Sequence, residues 1–385
     1  MEEKIPFVFG KFADTKNFTD RESETERLYL NFISLVNTTI VSPRRWGKSS
    51  LVKNVAKEIE EKNSKIKVCL LDIFNLKTEA DFYAALAQAV LKASSSKWEE
   101  MAENAKKFLS KLLPRISFSP DAQSEISFGI DWKELEKSAD DILDLAETIA
   151  KAKNIRIIVC IDEFQSIAEF DNPLAFQRKL RSHWQQHENV GYCLYGSKRH
   201  MLLDIFSNPS MPFYKFGDIM FLEKIDNAVW GKFIQKRFRE TGKEISEEDA
   251  CFLAELVENH SYYVQQVAQQ SWLRCKKVCK RNIILEAHET VKNQLSLLFV
   301  GIIESLNARQ IDFLKAIVAG ETLLTSKNVI EKYKLGTSAG VIKIREALMS
   351  KEIIDVNLQN IEIQDPVFKY WLKTDYFKIS TFKNS

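Results

Sequence analysis

The chain has no apolar run of the roughly 18 residues that a membrane span requires, and Met1-Glu2-Glu3-Lys4 does not open a secretory signal. A cytoplasmic protein with no membrane partner is therefore expected. Net charge is nearly absent as well: 55 basic and 53 acidic residues leave +2. This excludes a global basic field, so any nucleic-acid surface has to be a local patch. Paired metal-ligand spacing is missing among the cysteines Cys69, Cys160, Cys193, Cys251, Cys275 and Cys279. Three lie in expected strands, and Cys275 and Cys279 are read as one helical turn apart, all buried thiols in a reducing compartment. His183-Trp184-Gln185-Gln186-His187 lacks the glutamate a zinc hydrolase needs between its histidines. There is no long low-complexity tract, and 45% hydrophobic with 28% charged residues is ordinary globular composition. At 385 residues two or three domains are expected.

What is present starts at Ser42-Pro43-Arg44-Arg45-Trp46-Gly47-Lys48-Ser49-Ser50. The run before it, Asn37 to Val41, is β-branched and strand-like, and Leu51, Val52, Val55 and Ile59 recur at helical spacing after it. A strand-to-helix turn of this spacing is a nucleotide phosphate loop. Backbone N–H groups and the helix N-terminus surround the phosphates, Lys48 reaches the β/γ oxygens, and the Ser49 hydroxyl ligates Mg²⁺. Ser42 stands where the pattern has its first glycine, which is tolerable only if that position does not need a positive φ.

A second segment, Ile155 to Ile161, is almost continuously apolar and ends in Asp162-Glu163. Two carboxylates at the C-terminal end of a buried strand are costly unless they serve a metal or a reaction. Beside a phosphate loop, Asp162 is placed to hold Mg²⁺ through water and Glu163 to deprotonate an attacking water. The plainer alternative has Asp162 capping the next helix with Glu163 in its first turn.

Between and around these segments, strand and helix patterns alternate up to about residue 225, which predicts a doubly wound parallel sheet. Helices are expected at Glu79–Ala93, Trp98–Leu113, Trp132–Lys151 and Leu174–His187, with a hairpin over about 115–131. Asp226–Thr241, Glu247–Asn259 and Ser261–Lys280 then read as amphipathic helices with caps at Asp226 and Ser246 and no strand between them, a helical lid. From about Ser305, helices Ala308–Val318, Ser326–Tyr333 and Ser338–Ser350 precede strands Ile353–Val356 and Ile361–Gln364, which together make a winged helix. The expected domains are a P-loop core over 1–225, a lid over 226–300 and a winged helix over 301–385.

With those residues placed, the chain resembles the archaeal-type predicted ATPases of the AAA+ superfamily, in the branch of signal-transducing NTPases related to replication-initiator ATPases. The resemblance rests on Asp20 to Glu24, Pro43 to Ser50, Ile161 to Gln165, Gly196 to Arg199, Asn259 to Gln266 and Asp365 to Leu372, in that order. It implies an α/β P-loop NTPase with a helical lid and a C-terminal winged helix, binding ATP and Mg²⁺ and hydrolysing ATP. It implies that Ser197 is the sensor beside the γ-phosphate, that Arg21 belongs to the nucleotide site, and that Ser261 starts a lid helix facing the nucleotide. Where that lid motif has Gly and Pro, this chain has Asn259 and Ser261. An arginine contributing transition-state charge is sought among Arg178, Arg181 and Arg199, with Arg44 and Arg45 nearer the phosphates or a neighbouring subunit.

Two functions remain open at this level. In one, a nucleotide-driven motor or switch grips DNA through Lys343, Arg345 and Lys351 of the winged helix. In the other, ATP controls docking of a protein partner or a homo-oligomer without nucleic acid, the hairpin at Ile116–Ile130 being the candidate surface.

Overall fold

A computed structural model describes residues 5–10, 19, 21–109, 139–357 and 360–379. The expected hairpin over 115–131 and the residues Asp20 and 132–138 lie outside the described residues. The chain divides into two compact units, Arg21–Glu223 and the combination of Met1–Asp20 with Lys224–Ser385.

The first unit is the α/β part. It runs α1 (Glu22–Ile33), β1 (Thr38–Val41), α2 (Lys48–Lys62), β2 (Ile66–Asp72), α3 (Glu79–Ala93), α4 (Trp98–Leu109), α5 (Ala139–Leu143), α6 (Leu145–Lys153) and β3 (Arg156–Asp162). After a 3₁₀ turn at Phe164–Glu169 come α7 (Pro173–Trp184), β4 (Val190–Gly196), α8 (Arg199–Ser207) and β5 (Asp218–Phe221). The five strands are all parallel, in the order β2-β3-β4-β1-β5. Strands β1, β3 and β4 are central, and β1 and β4 are buried along their whole length, which is why the sequence there is apolar without alternation. Because every strand points the same way, the C-terminal ends of β1, β3 and β4 meet at one edge of the sheet.

Local chemistry explains the element ends. Thr78 and Asp81 form a reciprocal capping box at the head of α3. The expected helix Trp132–Lys151 is instead broken at Asp144 into α5 and α6. His187 lies beyond the end of α7, and both His183 and His187 bond the Asp144 carboxylate, at 2.8 and 3.0 Å. Among the described residues no cluster of three or more His, Cys, Asp or Glu is arranged to hold a metal.

The second unit contains α9 (Asn227–Arg239), β6 (Glu244–Ile245), α10 (Glu247–Leu256), α11 (Ser261–Arg274), β7 (Val278–Cys279) and α12 (Arg281–Glu304). It continues with α13 (Ala308–Val318), α14 (Lys327–Lys332), α15 (Ser338–Ser350), β8 (Ile354–Asn357), β9 (Asn360–Ile363) and α16 (Pro366–Trp371). One hydrophobic cluster runs through all of it and takes in Phe7, which packs against Phe233 and Phe238. Asp226 and Ser246 cap α9 and α10 as expected, and Thr337 caps α15. The antiparallel pair β8 and β9 behind α13 to α15 completes the winged helix.

Three expectations fail here. The helices of 226–280 are not free of strands, because β6 and β7 form a short parallel pair. Cys275 ends α11 and Cys279 lies in β7, so the two are not on one helical turn, and Cys251 is half-buried rather than buried. The helix α11 starts at Ser261 as expected, with His260 in the cap position and no side-chain cap bond. No helix of the described residues is long and apolar enough to cross a membrane.

Candidate nucleotide site

The loop from Ser42 to Gly47 leaves β1 and turns into α2. Ser42 is buried and its hydroxyl donates to the Pro43 carbonyl at 3.2 Å. It is not among the residues with positive φ, so a side chain is tolerated where the pattern has its first glycine. The left-handed residues of the loop are Arg45 (φ 65°) and Gly47 (φ 93°). At Gly47, which caps α2, any Cβ would be strained. Arg44 and Arg45 are exposed, Trp46 is half-buried, and Ser50 is buried in the first turn of α2.

Lys48 opens α2 and is only 5% exposed. Its Nζ lies 4.0 Å from Glu163 Oε1. The Ser49 hydroxyl donates to Asp162 Oδ2 at 2.6 Å, and Asp162 Oδ1 accepts from the Glu163 N–H at 2.9 Å. Burial raises the Asp162 carboxyl above the ordinary range against the pull of Ser49 and Lys48. A hard divalent cation would reverse that balance. The hydroxyl and carboxylate are oxygen donors of the kind Mg²⁺ prefers, and two protein ligands suffice when water and phosphate supply the rest.

Glu163 has a left-handed backbone (φ 55°) immediately after β3, so the chain turns into the 3₁₀ segment instead of a cap followed by an α-helix. Its Oε2 accepts from the Ser197 hydroxyl at 2.8 Å, from the Ser197 N–H at 3.4 Å and from the Gln165 amide. Burial alone would raise this carboxyl, but Lys48, Gln165 and Ser197 outweigh it and hold it below the ordinary range. Arg44 Nε donates to the Ser197 hydroxyl at 3.3 Å. The ends of β1, β3 and β4 thus bring Lys48, Ser49, Asp162, Glu163, Ser197 and Arg44 together.

Arg21, 5% exposed, stands behind this loop. Its Nη2 donates to the Glu223 carbonyl at 2.7 Å and to the Trp46 carbonyl at 3.5 Å, and its Nη1 meets Glu24 at 2.7 Å. Of the other arginines, Arg178 is exposed, Arg181 sits over the Phe216 ring at 4.8 Å and Arg199 over Phe221 at 5.9 Å. In the second unit, Glu258 and Asn259 both take left-handed φ (52° and 57°) just before α11. Asn259 thereby adopts the backbone that a glycine would supply, and its side chain accepts from Asn227 at 3.0 Å.

Two residues were not assigned from sequence. Gln165 stands with Ser166 between the apolar Phe164 and Ile167, and it is 1% exposed. Gly196 directly precedes Ser197, and a Cβ there would overlap Gln165 Oε1 at 1.9 Å.

Comparison with known proteins agrees with this architecture. Residues 46–170 match the model of the KAP family P-loop domain, and residues 297–374 match that of a "probable winged helix domain". No curated protein gives a significant match. A solved Walker-type ATPase of Pyrococcus abyssi is similar over 96% of this chain and 99% of that chain, with 18% identity and a TM-score of 0.68. The ORC2 protein of Aeropyrum pernix, solved as ADPNP–ADP complexes, is similar over 94% of both chains, with 13% identity and a TM-score of 0.59. Cdc6p of Pyrobaculum aerophilum is similar over 93% of both, with 12% identity and a TM-score of 0.50. At such identities these likenesses establish fold. The chain joins a P-loop NTPase domain to a C-terminal winged helix domain.

Proposed function

We propose that this protein binds ATP with Mg²⁺ and hydrolyses it as a switch whose output passes through the winged helix. The observation that carries the reading is the convergence of the Lys48 ammonium, the bonded pair Ser49 and Asp162, and the Glu163 carboxylate at the C-terminal edge of the sheet. In this reading Ser49 and Asp162 hold the metal, which supplies positive charge to the phosphate oxygens. Lys48 binds the β/γ oxygens. Glu163 takes a proton from the attacking water as that water bonds to the γ-phosphorus and the bond to the ADP oxygen breaks. Ser197 contacts the γ-phosphate, and Arg44, which already reaches Ser197, adds charge from within the same chain. Arg21 supports the loop through the Trp46 carbonyl. Glu163→Gln should keep ATP binding and slow hydrolysis by about 10²- to 10⁴-fold. Hydrolysis at the wild-type rate in that variant would refute the assignment.

For the winged helix we propose DNA contact through α15, whose Lys343 is exposed and whose Arg345 is half-buried. Reversing both charges should weaken binding to all DNA sequences and flatten its salt dependence, read by ATPase assays with and without duplex across a salt series. A specific observation favours the alternative, a protein partner or a second copy. Lys351 is committed to the Ser305 carbonyl at 2.8 Å, and the same helix exposes Ile342 and Glu346. Unchanged DNA affinity with altered basal turnover in the double variant decides for the protein-docking switch.

A further inference from the structure

Gln165 is part of no role assigned above, yet it is one of the most buried polar side chains of the first unit, at 1% exposure. Its Nε2 donates to Glu163 Oε2, while its Oε1 is buried without a hydrogen-bond partner from the protein. An amide left half-satisfied in an apolar layer is costly, and such an arrangement persists where the satisfied end has work to do. The room for it is also specific. Gly196 ends β4, and a Cβ there would lie 1.9 Å from Gln165 Oε1 and 3.3 Å from Glu163 Cα. The absent side chain at Gly196 is therefore what lets the amide reach beneath the carboxylate. Ser197, the next residue, holds the same Oε2 from the other side at 2.8 Å.

We propose that Gln165 is the positioning residue for Glu163: with Ser197 it fixes Oε2 and leaves Oε1, the oxygen facing Lys48, to receive the proton from water. The proposal rests on the hydrolytic reading above, and its test is arranged so that the two fail separately. Without nucleotide, the side-chain amide resonances of Gln165, assigned by their loss in Gln165→Leu, should shift in Glu163→Gln. Unmoved resonances overturn the proposal. With nucleotide, Gln165→Leu and Gly196→Ala should each slow single-turnover ATP hydrolysis by about 10- to 100-fold while the Kd for ATP changes less than about twofold. The second variant keeps the glutamine and only displaces it, so a fold defect in the first does not decide the outcome. Wild-type rates in both variants, a faster rate, or equal losses in rate and affinity overturn the proposal. A wild-type chain that does not hydrolyse ATP refutes the ATPase reading instead, and the resonances still report whether Gln165 holds Glu163.

Discussion

Lys48 in the first unit and Lys292 in the second are buried to the same degree, 5% and 6% exposed. Lys292, within α12, is closed off by Glu289 at 2.7 Å and Asp375 at 3.0 Å. Lys243 in the same unit donates to the Trp272 carbonyl at 2.9 Å and lies over that ring at 3.8 Å. Lys48 Nζ lies 4.0 Å from Glu163 Oε1, beside the bonded pair Ser49 and Asp162. Burial of charge therefore does not by itself mark a site. In the helical unit Lys292 is neutralised by two carboxylates and Lys243 is held by a carbonyl and a ring face, whereas at the sheet edge cation, hydroxyl and carboxylates converge on a common point. The first arrangement stabilises a fold, and the second is built for something that arrives.

The contrast is sharpest at Lys48. Lys48→Ala should weaken ATP binding by about 10²- to 10³-fold, or about 3–4 kcal/mol, measured by calorimetric titration. Its unfolding midpoint should stay within a few degrees of wild type, because removing a buried ammonium also removes its desolvation cost. A large loss of stability would break the comparison.

His288 offers the next effect, in the opposite unit. Burial pushes its imidazole down to about 4, with Glu289 pulling up and Lys292 pushing further down. The unfolded chain binds the proton near 6.5 and the folded one near 4, so stability falls as pH drops through that window. The contribution is complete above about pH 6.5 and lost by about pH 4, an effect of about 2–3 kcal/mol. His288→Phe should flatten unfolding midpoints over that range, and an undiminished slope would assign the acid sensitivity elsewhere.

Lys292→Met should cost about 1–2 kcal/mol of stability, discounted because Glu289 and Asp375 keep much of their solvent, and leave ATP affinity unchanged. Chemical denaturation and titration of the same variant check both halves. The smallest effect is expected at Ser42. Since its φ is not positive, Ser42→Gly gains no relief from strain and should lose less than about 1 kcal/mol through a freer unfolded chain, with binding retained. A marked gain in affinity would show that the loop does require glycine there.

Much of this was legible beforehand where local chemistry and tertiary demand agree. The α3 helix Glu79–Ala93 has its own capping box, and α13 and α15 have caps at Asn307 and Thr337, so their limits follow from nearby residues. That Lys48, Ser49, Asp162 and Glu163 would lie together at the ends of β1 and β3 followed from motif and burial pattern. Less legible was α12, whose cap Lys280 makes no side-chain bond and whose second half exposes Leu297 and Leu298 at 84% and 64%, blurring any apolar stripe. Strands β6 and β7 are two residues each, too short for alternation to register. The start of α11 at Ser261 matched the expectation, although the residues before it are the left-handed pair Glu258 and Asn259 and no side chain caps it. Gln165 depends on a glycine at the end of another strand, a relation that no local pattern encodes.

The bond from Arg21 to the Glu223 carbonyl has a topological meaning. It joins two residues 202 positions apart at 2.7 Å, and these are the first and last residues of the P-loop unit, while the helical unit is assembled from both flanks. The P-loop segment is thus a single uninterrupted insert whose two ends are clasped by one guanidinium. Such a module can be lifted out whole or circularly permuted with a bridge of a few glycines, since the gap to be closed is already shut and the loop entropy of closing it is small.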